Sequence, residues 1–245
     1  MRTPVYLRAA AKLTKSLRVT GVRDDGMHLI DAEMVELDLY DELTLLEIGE
    51  DLGSNDGVRF TGPHATNDID PFDNLVAAAA RLAGYEVSAE VHKHIPSGAG
   101  LGGGSADAAA ILRYVRFDDL EAAASIGADV AFCLVGGRAR VRGIGELVEP
   151  LPFVEETFTV VTPDVHCSTP AVYKMWDALG GPTGENGNDL EAAALAVAPE
   201  LHEVRQALGD ATGVTPRLAG SGSSWFVEGA FADAGVVLRT IPVKP

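Results

Sequence analysis

The sequence predicts an α+β protein of two lobes. Its 245 residues, 47% of them apolar, suffice for one large domain or two modest ones. Strand-like alternation and alanine-rich helical runs occur in both halves, and Pro150 and Pro152 interrupt the chain between them. We therefore predict a first domain over residues 1–152 and a second over residues 153–245, with the site between them.

The strongly negative net charge of the chain limits the kinds of molecule that it can bind. The net charge is −17, which argues against nucleic acid or an anionic membrane as the main partner. An anionic small molecule would need locally placed cations and backbone N–H groups. No apolar run reaches the length of a signal core or a membrane span. Cys133 and Cys167 lack metal spacing and are predicted to be buried free thiols, as in a reducing cytoplasm.

The first half alternates short strands and helices. Asp73 or Asn74 is predicted to cap a helix that runs to about Leu82, because short polar side chains accept from first-turn N–H groups. The other segments predicted here are strands at 5–7, 17–20, 33–39, 87–92 and 138–142, a helix ending near residue 114, and a helix from about 118 to 126.

A glycine-rich stretch, residues 95–112, organises this half. Five of the seven residues from Gly98 to Gly104 are glycine, and glycine allows positive φ and close approach to the backbone. Ser105 and Asp107 then open an alanine-rich helix. Bare N–H groups leading into a helix N-terminus favour an anion, above all phosphate. The stretch lacks the Gly-Lys-Ser/Thr of a Walker loop and the spacing of a dinucleotide fingerprint.

The second half repeats the pattern with a second glycine loop. Thr169 is predicted to cap a helix with Pro170 at its first position. The remaining segments are strands at 158–162, 215–218 and 225–228, helices to 198 and from 200 to 208, and a small-residue loop at 219–223.

The stretch Pro-x-x-x-Gly-Leu-Gly-x-Gly-Ser-Ala, beginning at Pro96, resembles the phosphate loop of the GHMP small-molecule kinases. The resemblance runs through nearly the whole chain. It implies the two-lobed GHMP kinase fold, with an N-terminal, ATP-binding lobe like domain 2 of ribosomal protein S5 and a ferredoxin-like C-terminal lobe. It also implies ATP as phosphate donor and Mg²⁺ as cofactor.

The resemblance assigns roles to particular residues. Lys12, in Ala-Lys-Leu-Thr, and Asp129, in Gly-Ala-Asp-Val-Ala-Phe, match the catalytic pair; Lys12 would keep Asp129 ionised and stabilise the transferred phosphate. Ser105 would touch Mg²⁺ through its hydroxyl. The implied ATP-binding residues are Asn74, Lys93, Pro96, Gly98, Ala99, Gly100, Leu101, Gly102, Gly103, Gly104 and Ser105. From the residues alone, Lys93 is equally well a solvent lysine and Asn74 equally well a helix cap.

The branch of the family that the chain most resembles phosphorylates the 2-hydroxyl of a cytidine diphosphate-linked methylerythritol in the non-mevalonate route to isoprenoids. The implied acceptor residues, beside Asp129, are Thr14, Met27, His28, Thr169, Tyr173, Gly220 and Ser221. In the family, Asp41 and Glu42 would lie in a hairpin turn. Thr14, Met27, Ala131 and Ile144 depart from the family pattern.

Three other hypotheses stay open on the sequence. The chain is a kinase for another small alcohol, a nucleotide-binding homologue with impaired catalysis, or a scaffold whose glycines only pack. The predicted partner in the main hypothesis is a small molecule, with neither nucleic acid nor membrane, and the predicted state is a cytoplasmic monomer or homodimer.

Overall fold

A computed structural model describes residues 4–46, 57–66, 69–86 and 88–243. These residues form two β-sheets accompanied by helices, which confirms the predicted α+β class. The first half contains strands β1 (Val5–Val22), β2 (His28–Leu46), β3 (Val58–Thr61), β4 (Ser88–His92), β5 (Arg138–Gly143) and β6 (Leu147–Pro150), and helices α1 (Leu75–Leu82), α2 (Gly103–Tyr114), α3 (Leu120–Ile126) and α4 (Val130–Val135).

The second half contains strands β7 (Thr157–Val161), β8 (Arg217–Leu218), β9 (Trp225–Glu228) and β10 (Val236–Arg239), and helices α5 (Thr169–Ala178), α6 (Glu191–Val197) and α7 (Leu201–Thr212). Its antiparallel sheet has the order β10-β7-β9-β8. This resembles a ferredoxin-like unit whose second helix is replaced by a turn at residues 229–235. The predicted boundary at residue 152 falls between the two sheets, and the division into two domains stays a prediction.

The first sheet is built on the 19-residue strand β2. Strand β1 pairs with it antiparallel along its length, while β4 and β5 pair with different parts of β2, at residues 42–46 and 30–35. Strand β3 joins β4 in parallel and β6 joins β5 antiparallel. Two shorter strands therefore share one edge of β2. The chain after β4 reaches the middle of β1, where the N–H of Lys12 donates to the carbonyl of Leu101 at 2.9 Å.

Strand β1 corrects the prediction of two separate short strands. It is one strand with register shifts between Ala10 and Lys12, Thr14 and Ser16, and Val19 and Gly21. Residues 9–14 are all buried, so the middle of β1 has no solvent-exposed face and lacks the alternation of a half-buried strand. Because of these bulges and the burial of both faces, the sequence pattern did not predict the continuous strand that carries Lys12 and Thr14.

Asp41 and Glu42 lie inside β2, not in the turn that the resemblance implied. Asp41 is completely buried, and its Oδ1 accepts from the backbone N–H groups of His94 and Ile95 at 2.6 and 2.8 Å. The carboxylate therefore anchors the segment that leads from β4 into the glycine stretch.

A continuous apolar core lies between the two sheets. It joins residues of β1 and β2, such as Leu13 and Val35, to Phe158 and Phe226 of the second sheet. Ala99 and Leu101 of the glycine stretch also belong to it. The two halves thus pack directly on each other, with the glycine stretch at their junction.

Smaller predictions have mixed outcomes. Cys133 and Cys167 are buried free thiols, as expected, and Asn74 caps α1. Helix α5, however, has Ser168 at its N-cap position without a side-chain cap hydrogen bond, so Thr169 and Pro170 are its first and second residues and Thr169 is not the cap. Across the described ranges, none of the helices is both long and apolar enough to span a membrane.

Candidate active site

The glycine stretch connects β4 to α2 in a conformation that suits glycine. Gly98, Gly100 and Gly102 have φ of 70°, 77° and 70°, a region that side chains disfavour. Gly102 is the N-cap of α2 and offers no side-chain cap. The first-turn N–H groups of this 12-residue helix are therefore left for an anion.

Space gives a second reason for these glycines. A Cβ on Gly100 would lie 2.4 Å from the carbonyl oxygen of Ala219, and one on Gly102 would lie 2.6 Å from Cγ of Lys12. The N–H of Ser224 donates to the carbonyl of Ala99 at 3.1 Å. The second glycine loop thus touches the first through the backbone.

Lys12 and Asp129 meet beside the glycine stretch although 117 positions separate them in the chain. Lys12 Nζ lies 3.0 Å from Asp129 Oδ2, and it also donates to Thr14 Oγ1 at 3.0 Å. The Lys12 side chain is 5% exposed, whereas that of Asp129 is 29% exposed. Asp129 stands immediately before α4 and forms no side-chain cap there, so its carboxylate is open to a ligand.

Two cavities meet at this pair. One has a volume of about 650 Å³ and the other about 630 Å³. Both are lined by Gly100, Ser105, Asp129, Thr169 and Pro170. A molecule in each cavity could therefore present its reacting end to the same carboxylate.

The first cavity follows the glycine stretch and contains most of the residues predicted to bind ATP. These are Asn74, Lys93, Pro96, Gly98, Ala99, Gly100, Gly102, Gly103, Gly104 and Ser105. Leu101, the remaining one, is buried in the core between the sheets. The Asn74 amide is engaged in α1, where Oδ1 accepts from the N–H of Ala77 at 3.0 Å.

Lys93 is neither a solvent lysine nor an open phosphate ligand. It is 4% exposed and its ammonium is paired with Asp41 and, at 2.5 Å, with Asp107. Burial raises the pKa of Asp107 to about 7, opposed by the charge of Lys93. Asp107 Oδ1 is buried with no hydrogen-bond partner among the described residues. This buried cluster lies beside Gly103 at the start of α2, and its Lys93 and Asp107 also line the first cavity.

The second cavity is lined by every residue predicted to bind the acceptor: Thr14, Met27, His28, Asp129, Thr169, Tyr173, Gly220 and Ser221. Thr169 and Ser221 share a hydrogen bond of 2.8 Å between their hydroxyls. Burial, and secondarily the charge of Asp129, raise the pKa of the Tyr173 phenol. Tyr173 therefore stays neutral, and its ring offers a flat face.

Sequence reasoning missed Lys174 and Asp177, which also line the second cavity. They follow Tyr173 at the one- and four-residue spacings on α5, and the four-residue spacing could have indicated that Asp177 shares a face with Tyr173. Asn188 has a supporting role: its buried amide donates to the carbonyls of Leu218 and Gly220 at 2.9 and 2.7 Å and so holds the second glycine loop.

Comparison with known proteins agrees with this geometry. The profile described as "GHMP kinases N terminal domain" matches residues 74–137. A 4-diphosphocytidyl-2-C-methyl-D-erythritol kinase of Paracoccus denitrificans is 39% identical and covers 94% of this chain and 89% of its own. One from Novosphingobium aromaticivorans is 37% identical, with 89% and 82% covered. The chain belongs to this kinase family.

The fold of this chain was also compared with solved structures. A crystal structure titled 4-(cytidine 5'-diphospho)-2C-methyl-D-erythritol kinase aligns with a TM-score of 0.73 at 28% identity, covering 96% of this chain and 99% of that one. The mevalonate kinase of L. major aligns with a TM-score of 0.62 at 14% identity, covering 99% of each chain. The latter likeness concerns the fold alone and confirms the two-lobed GHMP kinase architecture.

Proposed function

We propose that this protein transfers the γ-phosphate of ATP to the 2-hydroxyl of 4-diphosphocytidyl-2-C-methyl-D-erythritol, a step of the non-mevalonate route to isoprenoids. The observation that carries the proposal is the Lys12–Asp129 pair at the junction of two cavities. The family membership supplies the substrate. We further infer a cytoplasmic monomer or homodimer.

The first cavity would hold ATP, with its phosphates on the N–H groups at the start of α2. The acceptor, in the second cavity, would place its hydroxyl beside Asp129. The hydroxyl oxygen then attacks the γ-phosphorus, the bond from that phosphorus to the β–γ bridging oxygen breaks, and ADP leaves with the electron pair. Asp129 orients the hydroxyl and accepts its proton, while Lys12 faces the charge on the transferred group.

The donor set around Ser105 fits a magnesium ion. The described residues contain no cluster of three or more His, Cys, Asp or Glu side chains suited to a metal, and Ser105 lines both cavities with Asp129. Mg²⁺ commonly keeps several waters and takes one or two protein ligands beside substrate phosphates. Ser105 would therefore hold it together with the phosphates of ATP, and the bound ion would neutralise phosphate charge.

Lys174 would face the diphosphate of the acceptor. It is exposed on α5 and lines the second cavity. Lys12, the other lysine of that cavity, is already paired with Asp129. In a protein with a net charge of −17, a cation at this place supports an anionic acceptor.

The test is ADP release with Mg-ATP and a panel of acceptors: the cytidine diphosphate-linked methylerythritol, mevalonate, homoserine and galactose. We expect turnover with the first alone, and the phosphorylated product identified by ³¹P NMR. Turnover with another alcohol in place of the cytidine compound would contradict the acceptor. ATP binding without turnover on any alcohol would contradict the kinase activity itself.

A further inference from the structure

Asp177 is a carboxylate that has no role in the proposed phosphate transfer. It nevertheless lines the acceptor cavity, where it contacts His28. We infer that Asp177 fixes the ring tautomer of His28, so that its Nδ1 accepts a hydrogen bond and selects a 4-aminopyrimidine over a 4-oxopyrimidine. The choice of base rests on the proposed function, whereas the tautomer does not.

The His28 ring is held on three sides by one helix. Nε2 of His28 lies 2.9 Å from Oδ1 of Asp177. The ring of Tyr173 lies 4.7 Å from that of His28 at a 36° tilt, and the ring of Trp176 meets it edge-on at 5.7 Å. Trp176 is itself anchored by donating from Nε1 to the carbonyl of Pro182 at 2.9 Å.

These contacts come from the spacing of α5. Tyr173 and Asp177 are four residues apart, so they lie on one face of the helix, and Trp176 lies beside them. His28 opens β2 at the end of the β1–β2 hairpin. The helix of the second half thus positions a side chain of the first, with the His28 side chain only 12% exposed.

A carboxylate can only accept, so the hydrogen in the Asp177 contact belongs to Nε2 of His28. In the neutral imidazole this leaves the lone pair on Nδ1. Nδ1 of His28 has no hydrogen-bond partner among the described residues. The acceptor cavity, which His28 lines, can therefore supply a donor to it.

Cytosine carries an amino donor at C4, and uracil carries a carbonyl acceptor there. A donor matches Nδ1, whereas a second acceptor leaves both groups without a hydrogen. An unsatisfied buried partner costs enough to weaken binding about 5- to 150-fold. Asp177 is thus a positioning residue that determines which pyrimidine is accepted.

The first experiment reads the tautomer directly. Long-range ¹H–¹⁵N spectra of the full chain at pH 8, with the His28 ring assigned by its loss in His28→Gln, should show a protonated Nε2 and a bare Nδ1. In Asp177→Ala this single tautomer should be replaced by a mixture, with Asp210→Ala as the control. An Nδ1–H ring in the unaltered protein, or an unchanged tautomer in Asp177→Ala, would overturn the inference.

The second experiment reads specificity. Asp177→Ala should raise KM for the cytidine substrate about tenfold with kcat within about twofold, and should reduce its preference over the uridine analogue by a similar factor. Asp177→Glu should restore part of the preference. An unchanged preference in Asp177→Ala would also overturn the inference. Failure of the unaltered protein to turn over the cytidine substrate would instead contradict the proposed function. The role of Asp177 in fixing the His28 tautomer would then still be tested by the ¹H–¹⁵N spectra.

Discussion

Two lysine–carboxylate groups lie next to consecutive glycines of the same loop, and they differ in exposure. Gly102 faces the stem of Lys12, and Gly103 faces the ammonium of Lys93. Lys12 is paired with Asp129, whose side chain is 29% exposed where two cavities meet. Lys93 is paired with Asp41 and Asp107, whose side chains are 0% and 1% exposed.

We infer that solvent access, and not the charge pairing, separates the proposed catalytic pair from a supporting one. A buried ion pair contributes little net stability but is costly to break, because the remaining charge has no water. An ion pair open to a cavity can exchange partners with a substrate. The following four predictions test this difference.

Asp129→Asn should cause the largest change. Loss of a positioned general base lowers kcat by about 10²- to 10⁴-fold, while the affinity for ATP should change little. The free energy of unfolding should fall as well, because Lys12 is buried and keeps its charge without a carboxylate. Turnover assays, urea denaturation and calorimetric ATP titration measure these three quantities. Asp233→Asn, on an exposed turn, is the matched control. Near-normal kcat in Asp129→Asn would make the two groups alike and contradict the assignment.

Lys93→Met should act on stability first. It leaves two carboxyl groups buried without their cation, which costs about 3–5 kcal/mol in the free energy of unfolding. Urea denaturation measures the loss. Arg140→Met, which breaks the exposed pair with Asp31, should cost far less. Equal losses in the two variants would contradict the claim that burial makes the Lys93 cluster costly to break.

The pH dependence of stability should depend on Asp107. Its folded pKa of about 7 exceeds the ordinary value of 3.8, so between these values the folded state binds the extra proton. The stabilisation from this group is complete below about pH 4 and is lost as the pH rises through 7, at up to about 1.4 kcal/mol per pH unit. Unfolding free energies from pH 4 to 8 should fall less steeply in Asp107→Asn; identical slopes would refute the burial argument.

Thr14→Val should give the smallest change. Lys12 loses one hydrogen-bond acceptor but keeps Asp129, so kcat should fall about 2- to 12-fold with the fold intact. Steady-state kinetics measures this, with Thr20→Val on the exposed end of β1 as control. A loss as large as that of Asp129→Asn would mean that Thr14 itself contacts the reacting groups.

Local patterns predicted much of the fold. The end of α2 near Tyr114, the Asn74 cap and the strand β9 followed from capping chemistry and periodicity. The middle of β1 could not be predicted, because six consecutive buried residues carry no alternation. Asp41 was placed in a turn by the resemblance to the family's hairpin, and its buried partner Lys93 lies 52 positions away in the chain.

In the candidate site, too, local motifs were predictable from the sequence, whereas residues that depend on distant partners were not. Residues in dense motifs, such as the glycine stretch and Gly-Ala-Asp129, were found from the sequence and line the cavities. Asp177 was missed because its significance depends on His28, 149 positions away. The solvent-lysine alternative for Lys93 was wrong, because no local pattern distinguishes a lysine enclosed by two distant carboxylates from one in solvent.

The backbone contact between the two glycine loops limits how this enzyme family can diversify. Where Gly100 meets Ala219 there is no room for even a methyl group, so Gly100 cannot acquire a side chain without displacing the second loop. We therefore expect change toward a different acceptor to begin elsewhere in the second cavity, at the tip of the β1–β2 hairpin and on α5. The two glycine loops would then stay the same while the residues that bind the rest of the acceptor change.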